Sequence, residues 1–259
     1  MLYDKRGDVA YVTINRPDAR NALNLEAHNE MWRIFRDFRD DPKLRVAILT
    51  GAGDHAFCAG ADLKELLPPW LDEDALHPRK KVKDGFGAIT RGLHRIHKPI
   101  VAAINGWALA GGFEVALACD IRVASDRAKF GSFEVRRGLH HADGGIPRLV
   151  NSCGVGVALE MLLTGEPIDA QRALATNLVS KVVPHDELMA ATEDVVSKIL
   201  RNDQFAVESA KETILDVIGR PLDDQLAIEA LWGYSTMANP AIKQRLKEFY
   251  DKTDAGRAS

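Results

Sequence analysis

The chain is poor in cysteine. Cys58, Cys119 and Cys153 are the only three in 259 residues, far apart and in no CxxC or Cys/His cluster. That spacing indicates neither a disulfide framework nor a structural zinc site, and an odd count suits a reducing compartment. Surplus charge is lacking as well: 34 basic residues against 37 acidic leave a formal −3. Bulk electrostatics therefore give no basis for binding nucleic acid or a membrane surface. Residues 1–8 hold neither the apolar core of a signal peptide nor an Arg/Ser-rich presequence, and no apolar run is read as approaching a transmembrane helix in length. The expectation is a cytoplasmic protein. No low-complexity segment and no sequence-level repeat stand out. What remains, 46% hydrophobic and 27% charged, is the composition of a globular chain long enough to bury a large core.

Residues 8–15 alternate and carry β-branched side chains, which predicts a strand. Residues 16–21 form a turn. Asn24 then caps a predicted helix over 25–40, with Met31, Ile34, Phe35 and Phe38 on one face. The apolar runs 46–50, ended by Gly51, and 99–104 read as buried parallel strands. Pro68-Pro69 breaks the chain before a polar stretch, residues 70–83, read as a mobile flap over a pocket. Helices are predicted over about 84–97 and over 111–118, and a strand over 121–124. This alternation argues for an α/β fold with a mostly parallel sheet. After about residue 186 the character changes. Residues 187–200, 203–218, 222–237 and 240–251 read as successive amphipathic helices, with Pro221 and Asn239-Pro240 separating the last three. The division expected is a core over 1–186 and a helical region over 187–259.

One stretch carries chemistry rather than packing. Gly106-Trp107-Ala108-Leu109-Ala110-Gly111-Gly112-Phe113-Glu114 sets small residues where a backbone N–H can approach a ligand, opens a helix, and puts a carboxylate one turn in. A second small-residue loop, Phe57-Cys58-Ala59-Gly60-Ala61-Asp62-Leu63, lies upstream, and a second carboxylate, Glu134, lies downstream. When an enolate forms beside a thioester carbonyl, negative charge grows on the oxygen, and two N–H groups in a dry site stabilise it. Ala61 and Gly111 are small enough to offer such donors. Gly111 also stands where the helix dipole favours an anion. Two carboxylates flanking one water act as base and acid, provided one is protonated when the other is not. The blander readings are tight packing for the glycines and solvated surface for the glutamates. Glu114, however, sits within an apolar run.

On these motifs the chain resembles the crotonase (enoyl-CoA hydratase/isomerase) family, over about residues 8 to 250. The resemblance implies a spiral of ββα turns with a C-terminal helical region that mediates trimerisation, giving a homotrimer or a dimer of trimers. It implies an acyl-CoA thioester as partner. No cofactor is implied, since coenzyme A is part of the substrate, and no metal. It assigns the oxyanion N–H groups to Ala61 and Gly111, the α-proton to Glu134 and the water to Glu114. Backbone around Ala59, Ala61, Asp62 and Leu63 meets the adenine end, Arg20 and Ala22 line the entry, and Trp107, Leu109 and Asp143 join the substrate contacts. Plain surface charge is the other reading of Arg20 and Lys64. The reaction implied is reversible hydration of a 2-enoyl-CoA to a 3-hydroxyacyl-CoA, since both carboxylates are present. An isomerase, a carnitinyl-CoA-type dehydratase or racemase, and a non-catalytic acyl-CoA-binding or scaffold protein are the rivals.

The chain departs from the family pattern in places. Ala110 replaces the first of three glycines, and Phe133 stands where hydratases carry Pro. Gly138-Leu139-His140-His141-Ala142-Asp143-Gly144-Gly145 replaces Gly-x-x-Pro-Gly-x-Gly-Gly, so His141 takes the place of the Pro and Ala142 that of the following Gly. Asp143 reads either as the N-cap of the next helix or as an extra carboxylate beside the site. His140 and His141 read as pocket walls or partners of loop carbonyls, with contact to an unusual acyl group as the alternative.

Overall fold

The computed structural model describes residues 1–66 and 85–257. The flap expected at 70–83 lies outside them. The chain divides into two compact units, Met1–Lys198 and Ile199–Ser259.

The first unit opens with β1 (Leu2–Arg6) and β2 (Val9–Ile14), an antiparallel pair. Helix α1 (Leu25–Asp40) follows, capped as expected by the Asn24 side chain, which accepts from the Ala27 N–H at 3.0 Å. Its predicted face is fully buried: Met31, Ile34, Phe35 and Phe38 have no exposure. Each such side chain contributes roughly 1.5–3 kcal/mol of burial.

Strands then come in pairs: β3 (Val46–Gly51) with β4 (Ala56–Cys58), β5 (Ile100–Ile104) with β6 (Trp107–Leu109), and β7 (Ile121–Ser125) with β8 (Lys129–Gly131). The first of each pair joins a six-stranded sheet, order β1-β2-β3-β5-β7-β10, where β10 is Lys181–Val183. The second joins a four-stranded sheet, order β4-β6-β8-β9, where β9 is Ile168–Asp169. Each turn of the chain thus adds one parallel strand to each sheet. This is a spiral, and helices fill the turns: α2 (Gly111–Ala118), α3 (Gly145–Thr164), α4 (Ala170–Ala175) and α5 (Leu188–Leu200). β5 is buried along its whole length, as its unbroken apolar run predicts.

A buried amide ties one turn of the spiral to the next. Asn105, just past β5, accepts from the Gly51 N–H at 3.3 Å and donates to the carbonyls of Gly51 at 3.0 Å and Gly53 at 2.6 Å. Sequence reading passed over this residue.

Two expectations fail here. The helix predicted over 84–97 is, within the described residues, a series of turns from Phe86 to Arg95. Gly85, Gly87 and Ala88 take φ of 68°, 65° and 62°, and a left-handed residue interrupts a right-handed ladder. The second failure concerns length. α3 is, by length and composition, long and apolar enough to cross a membrane. It is not one straight rod, because Gly154, at φ 77° and ψ 167°, breaks it into two helical stretches.

In the second unit, α6 (Gln204–Val217), α7 (Leu222–Ser235) and α8 (Ala241–Arg257) follow the predicted series. The Asp203 side chain caps α6 through the Ala206 N–H, and Trp232 Nε1 donates to Asp216 at 3.2 Å. Residues 236–238 form a separate 3-10 turn rather than the end of α7.

Asn105→Ala strands the buried groups of Gly51 and Gly53. We expect a loss of about 2–3 kcal/mol, read from urea-induced unfolding.

Candidate active site

β4, β6 and β8 are neighbouring parallel strands, so their carboxyl ends lie side by side. Residues 59–62 leave the first, 110–112 the second and 132–134 the third. All three motifs of the sequence therefore meet at one edge of the small sheet, the usual place for a site in parallel α/β structure.

The first two loops hold Ala61 and Gly111, the residues expected to offer N–H groups. Leu23 donates to the Gly60 carbonyl at 2.8 Å and accepts from the Asp62 N–H at 2.9 Å. Those bonds use the groups on either side of Ala61 and turn its own N–H away from Leu23. Gly111 is the first residue of α2, where N–H groups have no intrahelical acceptor and the dipole is positive. The loops touch: a Cβ on Gly60 would lie 3.2 Å from the Gly111 nitrogen. A Cβ on Gly112 would lie 2.1 Å from the Cys58 carbonyl oxygen, so only glycine lets α2 start this close to β4. At Gly111 a Cβ would meet the Phe86 ring at 2.7 Å, so the packing explanation for its small size also holds.

Glu114 sits one turn into α2 and is 3% exposed. Its Oε1 accepts from the backbone N–H of Asp143 at 2.7 Å and of Gly145 at 2.9 Å. Glu134 lies in the 3-10 turn Phe133–Arg137 after β8, held to the head of α2 by the bond from Ala110 N–H to the Gly131 carbonyl. The structure thus brings the two predicted glutamates together. Between them stands His141, 4% exposed, with Nδ1 2.8 Å from Glu134 Oε1 and 3.5 Å from Glu114 Oε1. Its Nε2 lies 2.8 Å from Ser132 Oγ. Nδ1 makes no straight hydrogen bond to either carboxylate, and Glu134 Oε2 is buried with no partner among the described residues. Burial alone would lower the His141 pKa; Glu114 and Glu134 outweigh it and raise it to about 9.

His141 therefore corrects the expectation of a pocket wall or a carbonyl partner, since its ring touches both carboxylates. His140 does meet a loop carbonyl, that of His141, at 2.7 Å. Asp143 is not the N-cap of α3: Gly144, at φ 92°, holds that place without a side-chain bond. The Asp143 carboxylate is drawn instead to the Phe86 N–H at 3.0 Å and to Arg91 at 3.1 Å. Its burial, then the Glu114 charge nearby, raises its pKa.

One ligand atom each from Glu114, Glu134 and His141 falls within 4.8 Å of the others, a spacing open to a metal ion. The 2.8 Å contact argues against a tetrahedral ion. Two ligands on a tetrahedral ion with ~2 Å bonds stay about 3.3 Å apart.

Beside the glutamates, the Phe133 ring covers Gly131, stands 6.3 Å from the Trp107 ring and carries Arg136 stacked at 4.4 Å. Leu109 lies against the same glycine. The predicted CoA contacts gather at another rim. The Arg20 carbonyl accepts from the Ala59 N–H at 3.1 Å, and Leu63 is exposed. Arg16, which sequence reading passed over, ties the rim together by bonding the Ala22 carbonyl and pairing with Asp62 at 3.0 Å. Asp62 is thereby held in an ion pair, while the Arg20 side chain is exposed.

Fold and site define a class: enzymes that hold an acyl thioester and move protons at the carbon beside its carbonyl. The chain belongs to the enoyl-CoA hydratase/isomerase family, whose pattern it matches over residues 4–256. It is 39% identical to the short-chain-enoyl-CoA hydratase of Clostridium acetobutylicum, over 89% of this chain and 86% of that one. It is also 39% identical to the (E)-benzylidenesuccinyl-CoA hydratase of Thauera aromatica, over 87% and 86%. Among solved structures, the enoyl-CoA hydratase of Bacillus anthracis superposes with a TM-score of 0.88 at 34% identity, covering 97% of this chain and 96% of that one.

Ala110, in the place of a family glycine, adopts φ 51° and ψ −128°, a conformation nearly confined to glycine. Such strain costs on the order of 1–3 kcal/mol. Ala110→Gly is expected to stabilise the protein by about 1 kcal/mol after the entropic cost of glycine, read from the urea midpoint.

Proposed function

We propose that the protein catalyses the reversible hydration of a 2-enoyl-CoA to a 3-hydroxyacyl-CoA. The observation that carries this reading is the convergence of Glu114 and Glu134 on one buried site at the head of α2. In it, the thioester oxygen lies between the N–H groups of Ala61 and Gly111, which stabilise the enolate as it forms. Glu114, its carboxylate held by two N–H groups, orients a water and takes its proton as the hydroxyl adds to the β-carbon. Glu134 delivers a proton to the α-carbon on the same face. An isomerase needs one proton-carrying carboxylate; a second one, buried and hydrogen-bonded, favours the hydratase. The named activities of both curated relatives above, each a CoA-thioester hydratase, support the same choice.

Assembly as a homotrimer or a dimer of trimers belongs to the same reading. It is supported by apolar side chains left in solvent on α3, Val155, Leu159 and Leu163, and in the second unit Leu226, Leu231 and Tyr234.

Incubated with crotonyl-CoA in deuterated water, the wild type should lose the enoyl absorbance and gain deuterium at the α-carbon. Glu114→Gln and Glu134→Gln should each lower kcat by about 10²–10⁴-fold. A wild type inert on enoyl thioesters would sink the reading. Light scattering behind a sizing column should give three or six times the 28.5 kDa chain mass, and a monomer would exclude this assembly.

A further inference from the structure

Hydration by two glutamates leaves His141 without a task. In a site of two carboxylates alone, one must carry a proton before reaction begins. Here a third group can carry it. Two ionised glutamates and an imidazolium sum to −1, the same charge as one carboxylic acid and one carboxylate. The ring is also built to face both. Nε2 is anchored on Ser132 Oγ at 2.8 Å, Phe113 stacks edge-on at 6.2 Å, and a Cβ on Gly145 would fall 2.6 Å from the ring. Nδ1 is left between the carboxylates, aimed squarely at neither.

We propose that His141 is a positioning residue that holds the mobile proton of the site on Nδ1 and passes it between Glu114 and Glu134, a role that rests on the two-glutamate hydration. Before addition, the Nδ1 proton moves to Glu134, leaving a neutral ring whose Nε2–H still donates to Ser132. Glu134 gives that proton to the α-carbon while Glu114 takes one from the attacking water and the hydroxyl bonds to the β-carbon. Glu114 then returns its proton to Nδ1. One water is consumed, and all three groups end as they began.

The other charged groups around the ring are accounted for. Asp143, paired with Arg91, lies near Glu114, and Arg148 bonds the Asp143 and Thr90 carbonyls. His140 meets the His141 carbonyl rather than the ring. The balance of burial against the two glutamates leaves His141 titrating at about 9, above its ordinary 6.5. The sign follows: the shuttle is loaded below pH 6.5, stays loaded through neutrality, and empties as pH rises through about 9.

Ring-nitrogen NMR of the 15N-labelled wild type, assigned by comparison with His141→Gln, should show His141 titrating near pH 9, and in Glu134→Gln it should titrate at least about one unit lower. Wild-type kcat on crotonyl-CoA should hold to about pH 9 and then fall. In His141→Gln, kcat at pH 8 should drop about tenfold or more with KM within about threefold, and the alkaline fall should begin at least about one unit lower. A wild-type ring titrating at or below 6.5, or a variant with the wild-type pH profile, overturns the proposal while hydration stands. A wild type that hydrates no enoyl thioester overturns both the shuttle and the reading beneath it, even if the ring titrates near 9.

Discussion

A carboxylate in the interior must be satisfied, and Glu114 makes the surrounding chain conform to that demand. It is 3% exposed on a helix whose neighbours Phe113, Val115 and Ala116 are wholly buried. An ionised group there is costly unless hydrogen bonds and opposite charge compensate it. The compensation comes from the segment before α3, through the Asp143 and Gly145 N–H groups and the His141 ring. Those bonds wrap residues 138–145 around the glutamate. The wrapped loop brings His141 to Glu134, and it turns the Asp143 carboxylate toward Phe86 and Arg91. Phe86, in turn, lies over Gly111. One buried carboxylate thus connects Glu134, the loop at Gly111 and the turns that cover it.

The spiral explains why such distant segments can meet. Each turn lays one strand in each sheet, and the strands of the small sheet end at the same edge. A loop placed after each strand is then a neighbour of the loop one turn earlier. Ala61 and Gly111 follow β4 and β6, and Glu134 follows β8. Tight turns make this stacking possible: Gly112 presses on the Cys58 carbonyl, and Asn105 bonds across to Gly51 and Gly53. Rigid strands hold the geometry, and short loops carry the chemistry.

The departures from the family pattern cluster at the site. Ala110 strains the entry to α2, Phe133 covers Gly131 beside Trp107, and His141, in the place of a Pro, stands between Glu114 and Glu134. None of them alters a strand or the register of a sheet. They change the charge and shape of a site whose frame is unchanged, as when new chemistry is fitted to a shared fold.

Local rules determined much of this protein before any tertiary contact formed. The face of α1 and its Asn24 cap follow from helical spacing, the buried strands 46–50 and 99–104 from unbroken apolar runs, and the glutamate pair from motifs whose residue types suit only a few tasks. Other features depend on partners remote in the chain. The segment after Gly85 carries a helical pattern, yet left-handed glycines and the Phe86 contacts with Gly111 and Asp143 make it a series of turns. Asp143 has the residue type of a cap, but the Phe86 N–H and Arg91 compete for its carboxylate. His141 is a single side chain in a loop, and no periodicity marks it. Only folding brings it between two carboxylates from separate turns of the spiral, because the field that charges an imidazole comes from neighbours in space, not in sequence.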